Sequence, residues 1–204
     1  VAGQFVDLVK LPTTQVLLYP REWVQRKIDL LKSYGIEVYT GGLLFEIAWL
    51  QKKTISLFKG LKEIGCPTVE ISENFITLDA PERIQLIQEA IKQGLKVIYE
   101  YGRKYPKAML HVDDIEREIK PVLEAGVDHV ILERSEIDQF KDNPDILKNL
   151  VQTIGMENIV LEVNPDDFPA YHVWLIKTLG SEVSLANVAP GQALKLEQFR
   201  RGMG

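Results

Sequence analysis

The chain has 204 residues, 24 Lys and Arg against 29 Asp and Glu, a formal charge of −5 and 46% apolar residues. That composition is ordinary for a folded globular protein and excludes a disordered tail, a collagen-like repeat and a disulfide-stapled miniprotein. A lone cysteine, Cys66, cannot close an internal disulfide, and the only long apolar stretch, Gly41–Leu50, is interrupted by Glu46. Mild acidity argues against a nucleic-acid groove, and no run reaches membrane-spanning length. No basic-plus-apolar leader pattern opens the chain. The expectation is a cytoplasmic protein that works on small molecules, with neither nucleic acid nor membrane as partner.

In chain order, apolar runs alternate with amphipathic ones. Phe5–Leu11 reads as a strand, Arg21–Tyr34 as a helix, Ile36–Thr40 as a strand and Glu46–Ile64 as a long helix. Strand Pro67–Ile71, helix Pro81–Gln93, strand Leu95–Tyr99 and helix Val112–Glu124 follow. The remainder reads as strand Val127–Leu132, helix Asp145–Ile154, strand Ile159–Val163, helix Tyr171–Leu179 and strand Val183–Val188. Five helices run into Gly35, Gly65, Gly94, Gly126 or Gly180, natural C-terminal stops. Asp79-Ala80-Pro81-Glu82 supplies an N-cap, a first-turn proline and an early acid. Strands apolar on both faces belong in a parallel sheet covered by helices.

Two architectures fit this rhythm, an open doubly wound sheet and a (β/α)8 TIM-like barrel. Glu70, Glu100, Glu133 and Glu162 each end an apolar strand, in four consecutive units. A ring of strand ends converging on one site accounts for that, so the barrel is expected, as a single domain over residues 1–204. Seven strands are visible, one short of a full barrel. The chain opens at Val1 almost directly in a strand, and the first barrel strand is expected upstream of it.

Converging carboxylates repel one another and need a metal, a lysine or shared protons. Hard oxygen ligands suit Mg²⁺, with Glu70, Glu133 and Glu162 as candidate ligands and Glu100 as a catalytic carboxylate. The competing reading is a structural ionic network with Lys10, Lys104 or Arg134. Lys10 ends a buried strand, where a lysine is costly unless it meets an anion. Gly41-Gly42 allows a close backbone approach to a ligand, or is merely a tight turn. Asn187, at the last strand end, either binds a ligand or caps a loop. Arg103 and Lys107 read as solvated loop charges. His111, His129 and His172 read as structural or surface groups, Cys66 as a small apolar one, and Trp23, Trp49 and Trp174 as packing. Dinucleotide, P-loop and nucleophile-elbow motifs do not occur.

Several segments occur in a specific order: Phe5-Val-Asp-Leu-Val-Lys10, Tyr39-Thr-Gly-Gly-Leu-Leu-Phe-Glu46, Val69-Glu-Ile-Ser72, Glu100-Tyr-Gly-Arg-Lys104, Glu124-Ala-Gly-Val-Asp128, Leu185-Ala-Asn-Val188 and Leu196-Glu-Gln-Phe-Arg-Arg-Gly202. Together they resemble the phosphosulfolactate synthase family of coenzyme M biosynthesis, over nearly the whole chain. The resemblance implies a (β/α)8 barrel and a Mg²⁺-dependent addition of sulfite to phosphoenolpyruvate. In that setting Lys10 would neutralise the anions, Lys104 would deliver a proton, and Gly41, Gly42, Arg134 and Asn187 would bind substrate. The chain departs from the family where Gly-Trp-Gly-Thr is replaced by Leu11-Pro12-Thr13-Thr14 and where Glu133-Arg134-Ser135-Glu136 shifts an arginine by one position. Those departures fit an altered substrate, or an inactive barrel that binds a protein partner. The sequence is compatible with a homo-oligomer.

Overall fold

A computed structural model describes residues 2–103 and 112–204. Its seven strands are β1 (Leu8–Leu11), β2 (Glu37–Thr40), β3 (Thr68–Ile71), β4 (Lys96–Tyr101), β5 (His129–Leu132), β6 (Ile159–Glu162) and β7 (Leu185–Ala186). The helices between them are α1 (Thr13–Leu18), α2 (Arg21–Ser33), α3 (Gly42–Leu50), α4 (Thr54–Glu63), α5 (Ala80–Lys92) and α6 (Val112–Glu124). The second half adds α7 (Arg134–Ile137), α8 (Pro144–Ile154), α9 (Ala170–Leu179) and α10 (Ala193–Arg200). Among the described residues no helix is long and apolar enough to cross a membrane.

Every strand runs parallel to its neighbour, and the sheet order is the sequence order, β1 to β7. A doubly wound sheet reverses that order at a switch point; an unreversed order winds one way and curls into a barrel. The curl shows in a small inner cluster where Leu8 of β1, Tyr39 of β2, Ile98 of β4, Ile131 of β5, Val160 of β6 and Ala186 of β7 meet. Their outward neighbours, among them Val69, Val97, Val130 and Leu161, join the larger core beneath the helices. Strand alternation therefore places Lys10, Glu70, Glu100, Glu133 and Glu162 on the inner side, one step above that apolar layer. The TIM-like (β/α) barrel expected from the sequence is the fold observed, with seven parallel strands and with β1 and β7 not hydrogen-bonded to each other.

All five helix-closing glycines adopt positive φ. The long helix expected over Glu46–Ile64 is instead two helices, α3 and α4. Lys52, at φ 56°, turns the chain in a position that a glycine usually takes, and the next residue, Lys53, donates its N–H to the Ala48 carbonyl to end the helix. The first strand is shorter than expected because Ala2–Phe5 form a 3-10 turn, and the last keeps only Leu185–Ala186. In the other direction β4 runs on to Tyr101, so Glu100 lies inside a strand rather than at its end.

Ile131 is 2% exposed within the inner cluster. Truncation to alanine leaves a cavity directly under the carboxylates, and Ile131→Ala is expected to lower stability by about 2–5 kcal/mol in urea unfolding. A loss well below about 1 kcal/mol would show that the inner layer is not close-packed.

Candidate active site

Lys10 stands at the centre of the barrel mouth. Its Nζ lies 2.9 Å from Glu70 Oε2, 4.0 Å from Glu100 Oε2 and 5.7 Å from the centre of the Tyr39 ring. Burial works against the ammonium charge, yet Glu70 foremost, then Tyr39 and Glu100, hold it above the ordinary lysine range. Glu70 Oε1 accepts the Gly42 N–H at 2.6 Å. The anion facing this helix start is thus a carboxylate of the protein itself. A Cβ on residue 42 would collide with Ser72 Oγ and Glu70 Oε1, so glycine is required there. Gly41 N–H serves instead the Leu11 carbonyl, continuing the sheet.

Glu100 accepts the Asn74 side-chain amide at 2.6 Å. Burial first, and then the charge of Glu70, push its carboxyl well above the usual carboxylate range, against the pull of Lys10. Glu162 accepts from Asn187 Nδ2 and, at 3.4 Å, from Arg134 N–H. Asn187, at φ 62°, therefore uses its amide on Glu162. Glu133 is buried at the start of α7, beside Glu136. Glu136 accepts the Arg103 N–H at 3.1 Å, and a side chain on Gly102, at φ 111°, would strike both acids. Lys104, His111 and Lys107 lie outside the described residues.

The Arg134 guanidinium points elsewhere. It pairs with Asp138 at 3.2 Å and Asp167 at 2.9 Å, and it stacks 3.6 Å over the Tyr171 ring. Arg134, Asp167 and Tyr171, with Lys141, Phe168 and Trp174, line a cavity of about 620 Å³. Behind it His172 is 0% exposed, edge-on to Phe168 at 5.0 Å, with neither ring nitrogen hydrogen-bonded. The residues at the mouth that sequence reasoning passed over are Tyr39, Asn74, Glu46 and Glu136. Of these only Glu46 carried a visible signal, as the one charge in an apolar run.

Among the described residues no group of three or more His, Cys, Asp or Glu side chains is arranged to enclose a metal ion. Glu70 engages Gly42 and Lys10, and Glu162 engages Asn187 and Arg134. The expected trio of Glu70, Glu133 and Glu162 is therefore no closed cage. Among the described residues the ring offers hard carboxylate oxygen in excess of positive charge. That donor set fits a Mg²⁺ ion that keeps waters and shares its shell with a substrate oxyanion.

A sequentially wound parallel sheet, with buried acids and a lysine at the carboxyl ends of its strands, defines a TIM-type (β/α) barrel with its polar site on the face where such barrels carry theirs. Over residues 1–204 the chain matches the family model of (2R)-phospho-3-sulfolactate synthase (ComA), and it belongs to that family. The phosphosulfolactate synthases of Methanocaldococcus jannaschii and Methanothermobacter thermautotrophicus are 32% and 30% identical to it; alignment covers all of this chain and 84% and 81% of theirs. That of Bacillus subtilis is 28% identical over 99% of this chain and 82% of its own length. Among solved structures, KGPDC from Streptococcus mutans superposes with a TM-score of 0.58 at 12% identity, covering 99% of this chain and 90% of that one. D-psicose 3-epimerase from Clostridium cellulolyticum H10, with D-tagatose, gives 0.55 at 11%, covering 98% and 88%. At such identities these two structures speak for the fold alone.

Burial, helped by Arg134 and opposed by Asp167, holds the His172 imidazole below its ordinary value. The unfolded chain thus binds the proton more readily, and stability falls as pH drops below about 6.5. His172→Leu is expected to flatten that limb. Between about pH 6.5 and 5 the wild type should lose up to about 1.4 kcal/mol per pH unit more than the variant in urea unfolding. Parallel curves for the two proteins would show that His172 accepts its proton without cost.

Proposed function

We propose that this protein is a phosphosulfolactate-synthase-like lyase that adds sulfite to phosphoenolpyruvate with Mg²⁺, its partner being a small anionic substrate. The observation that carries the reading is the barrel mouth. Glu70 and Glu100 flank Lys10, the charge of Glu162 reaches Glu100, and such a site repels an anionic substrate unless a cation joins them. Family membership over the whole chain supports the same reading.

In the proposed reaction the sulfur of sulfite bonds to the methylene carbon of phosphoenolpyruvate. The π pair moves toward the carboxylate, and a proton then reaches the central carbon. Two anionic reactants must be brought together, so charge neutralisation is the main task. Lys10, kept charged by Glu70, supplies one positive group. Glu100 and Glu162 would hold Mg²⁺, which when bound neutralises the substrate carboxylate and phosphate and stabilises the developing enolate charge. The apolar layer of Ile98, Ile131 and Val160 closes the floor and keeps water from entering below. Lys104 is the proposed proton donor.

A second reading, a barrel that has lost this reaction, draws on Arg134, whose guanidinium is already engaged by two aspartates. One assay separates the two. Purified protein with phosphoenolpyruvate, sulfite and Mg²⁺ is expected to form phosphosulfolactate, detected by phosphorus NMR, and a chelator is expected to stop it. Lys104→Ala should then reduce kcat by roughly 10²–10⁴-fold. No product from the wild type favours the inactive barrel. An unchanged kcat in the variant removes Lys104 from the chemistry.

A further inference from the structure

Helix α3 is apolar from Gly42 to Leu50 except for Glu46, which is 1% exposed. A carboxylate so deeply buried is costly unless its oxygens are matched by donors. Oε1 accepts the Ser72 hydroxyl and, at 2.9 Å, the Asn74 N–H; Oε2 accepts the Phe75 N–H at 2.7 Å. All three donors belong to the segment that follows β3. Among the described residues no basic side chain lies within ion-pair distance of Glu46. Its charge is directed at that segment alone.

The segment leads straight to the two central acids. From it the Asn74 amide reaches Glu100 Oε1, while Asn74 Oδ1 is buried without a donor of its own. Ser72 occupies the space a side chain on residue 42 would need, against the glycine whose N–H holds Glu70. Glu46 is thus linked to Glu100 by way of Asn74, and to Glu70 by way of Ser72, which packs against Gly42. An apolar residue at 46 could fill the same volume, but it would leave two backbone N–H groups and a hydroxyl unmatched.

We propose that Glu46 is a positioning residue, which fixes Ser72 and Asn74 and through them aims Glu70 and Glu100 at the bound substrate. The substrate's identity rests on the synthase reading above; the clamp rests on the hydrogen bonds alone. Gln at this position keeps the shape but turns an NH₂ group toward donors on one side, so the clamp should loosen without a cavity opening.

The test compares wild type, Glu46→Gln, Asn74→Ala and the double variant as full chains. Amide hydrogen exchange at residues 74 and 75 is expected to quicken by about tenfold or more in Glu46→Gln, because a hydrogen bond to a charged acceptor is lost. With phosphoenolpyruvate, sulfite and Mg²⁺, kcat should fall by roughly ten- to a hundredfold while KM moves little, as for a misplaced catalytic group. The loss in the double variant should be smaller than the product of the two single losses, since both weaken the bond to Glu100. Unchanged exchange, unchanged kcat per folded molecule, or losses that multiply in the double variant would each overturn the proposal. If the wild type forms no product, the synthase reading fails, and exchange at 74 and 75 then decides the clamp by itself.

Discussion

Carboxylates buried inside a ring of strands must each be given donors, and the rest of this structure is arranged around that requirement. Lys10 answers part of it, at 2.9 Å from Glu70 and 4.0 Å from Glu100. A single ammonium cannot balance several buried acids, and among the described residues the other donors to Glu70, Glu100 and Glu162 are neutral. They are supplied in a regular way, because the loop of one unit serves the strand of the next. Gly42, after β2, holds Glu70 on β3; Asn74, after β3, holds Glu100 on β4; Arg134 N–H, after β5, reaches Glu162 on β6. Acids outside the ring repeat the device: Glu46 grips the turn after β3, and Glu136 grips Arg103 after β4. Neighbouring units are thereby joined above the sheet by polar contacts as well as within it by the strand ladders. Backbone N–H donors have little freedom to lose, which makes them well suited to hold a charged group in one orientation.

Much of this frame was legible in the sequence. Each strand run left a strand core, and the five glycine stops fell where helices end, because both signals are local. The glutamates at the strand ends announced the barrel mouth for the same reason, through a repeat in four successive units. What escaped notice was either short or long-range. α1 has six residues and α7 four, too few for a helical period to declare itself. The break at Lys52 was hidden because a lysine rarely adopts the conformation that a glycine would have advertised. Asn74 and Tyr39 were missed because their partners come from other units, Asn74 reaching Glu100 across 26 residues. No periodicity links such positions.

The sequence also left open whether the diglycine, Arg134 and Asn187 face a ligand or the protein. In the fold all three face the protein: Gly42 and Asn187 donate to glutamates, and the Arg134 side chain joins two aspartates and an aromatic ring. The two ends of Arg134 have different partners: its N–H points at Glu162, at 3.4 Å, while its guanidinium lines the side cavity. The guanidinium is ion-paired between Asp138 and Asp167 over the Tyr171 ring, and freeing it would leave Asp167 without this partner, while Asp138 would keep Lys141.

It follows that, among the described residues, positive charge for a bound anion is scarce at this mouth. With Arg134 engaged elsewhere, Lys10 faces Glu70, Glu100 and Tyr39, and the buried Glu100 carboxyl is already pushed toward its neutral form. A small dianion arriving from water would lose its hydration and meet, from the described residues, a field that is negative or at best neutral. On the proposed reading, a divalent cation entering with the substrate would reverse that balance: it would draw on carboxylates that repel the anion when alone and would favour their ionised form. The excess of acids over bases among the described residues, an obstacle to a lone phosphate or sulfite group, would then favour cation and anion entering together.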